Sequence, residues 1–431
     1  MNAQKANNTI DKVRKLQKKL YLAAKANSKR KFHALYDKMH RMDILKESWK
    51  RVKVKGGTGG IDLVSIEDVE KYGVDKFIAE LQIELIKGEY RPQPVKRSYI
   101  AKRDGGKRPL GIPVIKDRVV QMAAKIVMEP IFEADFKECS HGFRPKRNAQ
   151  QALEVIRKGL YKEMVVIDAD IKGYFDNISH DKLMKLVKAR ISDRKIIKLI
   201  CKWLKAGVME KGVYRESEKG SPQGGVISPL LSNIYLHYMD YLWEKHYRHL
   251  GTLVRYADDF VVLCKTSKDA GQALEIIKAI MDKLELTLHP DKTKVVNLWD
   301  IKKGFDFLGY HHIREYCKTI EGKKRVKVKQ FASNKAMNKM RQNIRETFNG
   351  RANLWMHMKQ MIDILNPKII GMRNYYGRTM VARQQLTKMD YYLIIRFTIW
   401  YNHKKQAEKG HSEMSKVRGM IYKYGLQKFA V

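Results

Sequence analysis

Two short apolar runs, Leu253 to Tyr256 and Phe260 to Leu263, are separated only by Ala257-Asp258-Asp259. Runs this short read as strands, and so brief a gap reads as a tight turn. The chain is thereby constrained to set two adjacent carboxylates at a hairpin tip between apolar strands. Like charges in such a place are costly unless a cation neutralises them. An isolated Asp-Asp pair in a turn is most often a solvated loop, so the pair needs a distant partner to mean more. Val165-Val166-Ile167-Asp168-Ala169-Asp170 supplies one, an apolar strand ending in acid. Asp168 and Asp170 share a strand face, and spacing alone does not choose between them.

Carboxylate oxygens suit hard divalent cations such as magnesium, which keep positions free for substrate phosphates. Two such ions about 4 Å apart stabilise the attacking and leaving oxygens of an in-line phosphoryl displacement. The charge balance points to the same substrates. The 431 residues include 87 Lys and Arg against 46 Asp and Glu, a formal net charge of +41. An excess this large calls for an anionic partner, and nucleic acid is the leading one. The hydrophobic fraction of 44% is ordinary. No apolar run approaches the roughly 18 residues of a membrane span, and no segment has the clean apolar face of a surface anchor. Met1 to Thr9 is polar and unlike a secretory signal. Cys139, Cys201, Cys264 and Cys317 are scattered and form no CxxC pair. A cytoplasmic protein with no membrane partner is expected.

The length allows two or three domains. Asp11 to Trp49 reads as basic helices, broken by the glycine loop Gly56 to Gly60. Phe77 to Ile86 is a helix, and Val95 to Ala101 with Arg108 to Ile112 a hairpin turning at Asp104-Gly105-Gly106. Asp117 to Phe132 is a strong helix. Beyond it, strands at Met164 to Asp170 and Thr293 to Asn297 alternate with helices at Asp181 to Lys188, Ile196 to Lys205, Pro222 to about Lys245 and Ala270 to Leu284. This mixture is of the α+β class. After about Ile313 the strand signal fades into a basic, helical, tyrosine-bearing remainder.

Eight motifs in order carry a family resemblance: Gly111-Ile112-Pro113 with Asp117-Arg118-Val119-Val120-Gln121; Ser140-His141-Gly142-Phe143-Arg144-Pro145; Asp170-Ile171-Lys172-Gly173-Tyr174-Phe175-Asp176; Gly220-Ser221-Pro222-Gln223-Gly224-Gly225; Tyr256-Ala257-Asp258-Asp259-Phe260; Lys292-Thr293-Lys294; and Phe307-Leu308-Gly309-Tyr310. From about Ser48 to Arg378 the chain resembles the reverse transcriptases encoded by bacterial group II introns and their group II-like relatives. The resemblance implies a right-hand polymerase, with fingers and palm built on antiparallel sheet and a helical thumb or maturase region. It implies that Asp170, preceding Ile-Lys-Gly, is the first metal-binding carboxylate, joined by the carbonyl of Ile171. Asp258 is the second shared carboxylate, and Asp259 a less direct ligand or support. Phe175 is placed as the steric gate against a ribose 2′-OH. Lys102 and Arg108 are placed on the incoming triphosphate, and Gln223 beside the nucleotide. Lys292, or Lys294, is the possible general acid for the leaving pyrophosphate. Arg144 orders the fingers or contacts template phosphate, and Arg378 lies in the RNA-gripping region. His141 is expected to be a hydrogen-bonded structural histidine.

The expected domains are an N-terminal extension (1–75), fingers (76–165), palm (166–312), thumb or maturase-like region (313–385) and a basic C-terminal tail (386–431). The expected activity is RNA-directed DNA synthesis with two magnesium ions, for which manganese can substitute. The partners are an RNA template (an intron or a structured noncoding RNA), a DNA primer and product, and deoxynucleoside triphosphates. Two other roles remain open: a maturase that binds intron RNA as a splicing cofactor, and a domesticated antiphage defence enzyme copying a dedicated noncoding RNA. No zinc-binding or HNH-type endonuclease segment follows Tyr401, so site-specific DNA cleavage is not expected.

Overall fold

The computed structural model describes residues 2–101, 106–301, 303–318, 324–348, 352–405 and 413–430. It divides into two compact units, one of residues 1–152, 169–262 and 268–294, the other of residues 153–168, 263–267 and 295–431. Both mix helix with antiparallel strand, as the sequence pattern predicts.

In the first unit the helix Ile115–Glu133 is buried along nearly its whole length. The helices Asn2–Ala26 and Met42–Lys55 pack on it. The first of them does so through Val13, Leu16, Leu20 and Ala24, all buried and spaced so as to fall on one helical face. The helix Val74–Lys87 ends at Gly88, whose φ of 73° gives the left-handed cap that glycine adopts without strain. A four-stranded sheet runs in the spatial order Lys107–Ile112, Val95–Ala101, Val208–Glu210, Val213–Arg215. Its first pair is antiparallel, with Lys96 opposite Ile112 and Ile100 opposite Arg108. Its second pair is parallel, with Val95 opposite Val208. The helices His180–Arg190, Arg194–Leu204 and Ser228–Leu242 complete the unit around the hairpin strands Thr252–Tyr256 and Asp259–Cys264. Asp193 caps the middle helix by accepting from the amides of Lys195 (2.9 Å) and Ile196 (3.3 Å).

The second unit corrects two expectations. Strand structure does not fade after Ile313: Tyr310–Lys318 and Lys324–Ala332 form a long antiparallel pair, joined by Gly304–Phe307 on the far side of the first strand. The alternation Val326-Lys327-Val328-Lys329 carries a period-2 signal that the basic character of the region obscured. Nor do the described residues from 386 to 430 form a tail. The helices Met380–Lys405 and Met414–Lys423 share one core with Asn334–Thr347 and Met358–Tyr376, in which Leu365, Leu386, Phe397, Val417, Ile421 and Phe429 are buried. The amides of Phe429 and Ala430 donate to Asp390 at 2.7 and 3.0 Å, and Gln427 donates to Asn366 at 2.8 Å. Among the described residues no helix is long and apolar enough to cross a membrane.

Candidate active site

The hairpin places Ala257 and Asp258 alone between its strands. Ala257 has φ of 59°, a left-handed conformation that costs a residue with a Cβ roughly 1–2 kcal/mol. Glycine usually takes the first central position of such two-residue turns. The turn is backed by the loop that carries Gly142. A Cβ on Gly142 would stand 2.4 Å from the Ala257 nitrogen, closer than any real contact, so glycine is what lets that loop lie against the turn.

Asp258 is half-buried and Asp259 exposed. The Asp258 carboxyl is pushed up, first by burial and then by the negative charge of Asp170, against the opposing pull of its own backbone amide, Arg108 and Arg255. Asp170 and Asp258 therefore share one electrostatic site. Asp170 is held there by its backbone. Its carbonyl accepts from the His289 amide at 2.8 Å, and the Lys172 amide donates to Thr287 at 2.9 Å, bracketing an antiparallel bridge between Ile171 and Leu288. Neither bond uses the carbonyl of Ile171. The same bridge delivers Lys292, whose Nζ donates to Asp170 Oδ2 at 2.6 Å; Lys292 rather than Lys294 is the lysine whose bond to Asp170 is seen.

The donor set suits a divalent cation. The charge of Asp170 bears on the half-buried Asp258 carboxyl, and the Lys292 ammonium already sits against Asp170. Among the described residues no cluster of three or more His, Cys, Asp or Glu side chains converges, so further ligands fall to backbone, water or substrate phosphate, the pattern usual for magnesium.

Phe175 lies in the single helical turn Tyr174–Asp176 and stacks edge-on against Tyr174 at 5.3 Å between ring centroids. Tyr174 is anchored by donating to the Ser232 carbonyl at 2.7 Å. The Phe175 carbonyl accepts from the Ser221 amide at 2.8 Å, and the Gln223 carbonyl accepts from the Gly111 amide at 2.6 Å. The Gly220–Gly225 loop is thus stitched to the Phe175 turn at one end and to the Arg108 strand at the other. Gln223, Asp176, Arg97, Tyr99 and Gly111 are among the residues lining an open cavity of about 590 Å³ beside it. Arg108 is exposed. Lys102 lies outside the described residues.

Several motif residues build the scaffold instead. Asp117 accepts from the Tyr90 hydroxyl at 2.6 Å and the Gln93 amide at 2.9 Å, and burial pushes its carboxyl up to about 6. Arg118 staples the glycine loop by donating to the carbonyls of Pro113 (2.8 Å) and Thr58. Gln121 accepts from the Val226 amide at 2.8 Å. Arg144 is buried, donating to Glu133 and to the carbonyls of Lys137 and Ser140. The guanidinium thus ties the Lys137–Ser140 segment to the helix Ile115–Glu133. His141 is also buried, but neither ring nitrogen has a hydrogen-bond partner, contrary to expectation. Burial, with Arg147 and Arg144 nearby, lowers it to about 4. Arg378 is an exposed residue of the second unit, in the turn between two helices. There Tyr375 donates to the Leu308 carbonyl at 2.9 Å, and Tyr376 packs so close that a Cβ on Gly309 would meet its hydroxyl at 2.6 Å. These two tyrosines hold the Leu308-Gly309-Tyr310 turn.

One residue escaped the sequence reading. Arg255 sits inside what reads as an apolar strand, is wholly buried, and donates to the Ala257 carbonyl at 2.8 Å. A charged residue one position before the pentad was the available signal.

Comparison with known proteins agrees with this geometry. Residues 100–312 match the reverse transcriptase (RNA-dependent DNA polymerase) family. Residues 337–417 match the group II intron maturase-specific domain. The chain is 40% identical over 280 residues to protein YkfC of Escherichia coli (strain K12), covering 56% of this chain and 73% of that one. It is 31% identical over 429 residues to the group II intron-encoded protein LtrA of Lactococcus lactis subsp. cremoris, covering 80% of this chain and 70% of that one. An uncharacterized protein in the cob intron of Schizosaccharomyces pombe is 30% identical over 406 residues, covering 78% of this chain and 49% of that one.

Proposed function

Because this chain belongs to the family of group II intron-encoded reverse transcriptases, we propose that Asp170 and Asp258 are the carboxylates at which its RNA-directed DNA polymerase chemistry is done. The observation that carries this reading is that Asp258, in a strained turn, feels the charge of Asp170, which already holds the Lys292 ammonium at 2.6 Å. Enzymes of this family use divalent metal ions, and two magnesium ions, replaceable by manganese, suit the oxygen donors here. Asp170, Asp258 and the Ile171 carbonyl would hold them, with Asp259 as a looser ligand or support. When bound, the ions supply charge stabilisation for an in-line displacement at phosphorus.

The remaining roles are those of side chains. The primer 3′-hydroxyl gives its proton to water, its oxygen attacks the α-phosphorus of the incoming nucleotide, and the bond from that phosphorus to the bridging oxygen breaks. Pyrophosphate leaves with the developing negative charge. Arg108, with Lys102, neutralises the triphosphate, and bidentate geometry would make the arginine contact directional. Lys292, already positioned at Asp170, donates a proton to the pyrophosphate. Phe175 and Gln223 flank the sugar and base, Phe175 as a barrier to a 2′-hydroxyl. A right-hand division into fingers, palm and thumb belongs to the same proposal.

The substrates are an RNA template, a DNA primer and deoxynucleoside triphosphates. The maturase match and the basic second unit favour a concurrent role in binding intron RNA, with exposed Arg378 among its contacts. Asp258→Ala tests the whole reading. Primer extension on RNA should fall by at least about 1,000-fold, an effect of the size expected from removing charge stabilisation at the reacting centre. RNA affinity should stay within about threefold, since the phosphate contacts that dominate affinity are made elsewhere. Full extension by the variant would overturn the assignment.

A further inference from the structure

We propose that the buried Arg255–Asp240 pair is a positioning device for the catalytic turn, fixing the Ala257 carbonyl and through it the aim of Asp258. This rests on the reading of Asp258 as a catalytic carboxylate.

Arg255 and Asp240 are both wholly excluded from solvent. Every N–H of the guanidinium has a partner. Nε donates to Asp240 Oδ1 at 2.8 Å and Nη2 to Asp240 Oδ2. The second Nη2 hydrogen goes to Ser140 Oγ at 2.8 Å. Nη1 donates to Asn233 Oδ1 at 3.2 Å and to the Ala257 carbonyl at 2.8 Å. Five donors meet five acceptor atoms, a fork that lysine cannot reproduce.

These partners come from three separate stretches of chain. Asp240 and Asn233 belong to the helix Ser228–Leu242. Ser140 belongs to the loop that backs the turn, and Ala257 to the turn itself. The backbone repeats the connection: the Arg255 amide donates to Cys139 at 2.7 Å, and the His141 amide donates to Arg255 at 2.9 Å. Asn233 closes the circuit, its Nδ2 donating to the Gly142 carbonyl at 2.9 Å. One guanidinium therefore registers helix, loop and turn against each other, immediately behind Asp258.

An ion pair buried this deeply is weak as a source of stability, because desolvation offsets the attraction; apolar replacements are often neutral or stabilising. What an apolar pair does not do is hold a carbonyl. Ala257 is a left-handed residue with a Cβ, so its peptide groups relax unless something fixes them. The Nη1 bond is a side-chain restraint on that strained carbonyl.

The test uses the full chain with primer and RNA template. The double variant Arg255→Met/Asp240→Leu removes the fork while keeping the volume apolar. It should fold and bind RNA, yet lose about 100-fold in kcat, the scale of an ångström-level misplacement. Without metal or nucleotide, amide hydrogen exchange across residues 256–259 should rise about tenfold or more as the local opening becomes easier. Manganese binding in the absence of nucleotide should weaken severalfold. A folded double variant with wild-type extension and unchanged exchange overturns the proposal. If the double variant does not fold, Ser140→Ala decides by deleting one acceptor: a loss of about threefold to tenfold in kcat at unchanged nucleotide KM supports it, matching one lost buried hydrogen bond, and unchanged kcat and exchange overturn it. Asp258→Ala separates the two levels. If that variant stays active, the reading of the site fails; if it is dead while the double variant behaves as wild type, only the positioning role fails.

Discussion

The catalytic turn and the C-terminal helical core are held by opposite means. Behind Asp258 the contacts are polar, directional and saturated, converging on Arg255 from three chain segments. Around Phe397 the contacts are apolar, and a basic exterior surrounds a core of Leu365, Leu386, Val417, Ile421 and Phe429. Directional bonds suit the proposed task of holding Asp170 and Asp258 at one geometry. Non-directional burial suits the proposed task of presenting cations to RNA. A polar network fails in aim before it fails in stability, whereas an apolar core fails in stability first.

Among changes that break this comparison, the largest expected effect comes from Gly142→Ala. Its Cβ would meet the Ala257 backbone at 2.4 Å, so the loop or the turn must shift. Primer extension should fall by about 100-fold or more with misplacement of Asp258, while circular dichroism stays native. An active variant would mean that the backing loop does not set the turn. Next comes Leu365→Ala in the helical core. Leu365 is fully buried, and truncation should lower stability by about 2–5 kcal/mol. A melting profile unchanged from the parent would erase the contrast.

The smallest effect is on pH dependence. His312, buried and stacked on Phe305 at 4.8 Å, is lowered to about 3, chiefly by burial. A histidine whose folded pKa lies below its unfolded value binds its proton more readily when unfolded. Its contribution is therefore fully present above the ordinary histidine range and is lost as pH falls toward the folded value. Stability of the second unit should drop with a slope approaching about 1.4 kcal/mol per pH unit between roughly pH 6 and 4. His312→Phe should flatten that slope in urea titrations at stepped pH; an unaltered slope would assign the acid sensitivity to other groups.

Legibility in the sequence followed the range of the interaction. The helix Val74–Lys87 and the strand Val95–Ala101 were readable because their signals, period and a glycine cap, are local. Residues 414–430 were misread as tail because Val417 and Ile421 are sparse among basic residues. They are buried in a core shared with Leu365 and Phe397, and the backbone of Phe429 and Gln427 is tied to Asp390 and Asn366, dozens of positions earlier. For Arg144 the sequence left finger ordering and a template contact both open, because exposure is invisible in a motif. Its partner Glu133 lies eleven residues upstream across a turn.

The sequence by itself determined the chemistry. Asp258-Asp259 between apolar runs, an acid closing a second apolar strand, and a net charge of +41 point to cations and phosphates, and the motifs in their order carry the family resemblance that turns this into polymerase chemistry. Only the tertiary structure decided what holds that site in register. The bonds from Arg255 to Asp240, Asn233, Ser140 and Ala257 join residues up to 115 positions apart. No local period or motif encodes such a convergence, since each partner is an ordinary polar residue until the fold brings it within hydrogen-bonding distance.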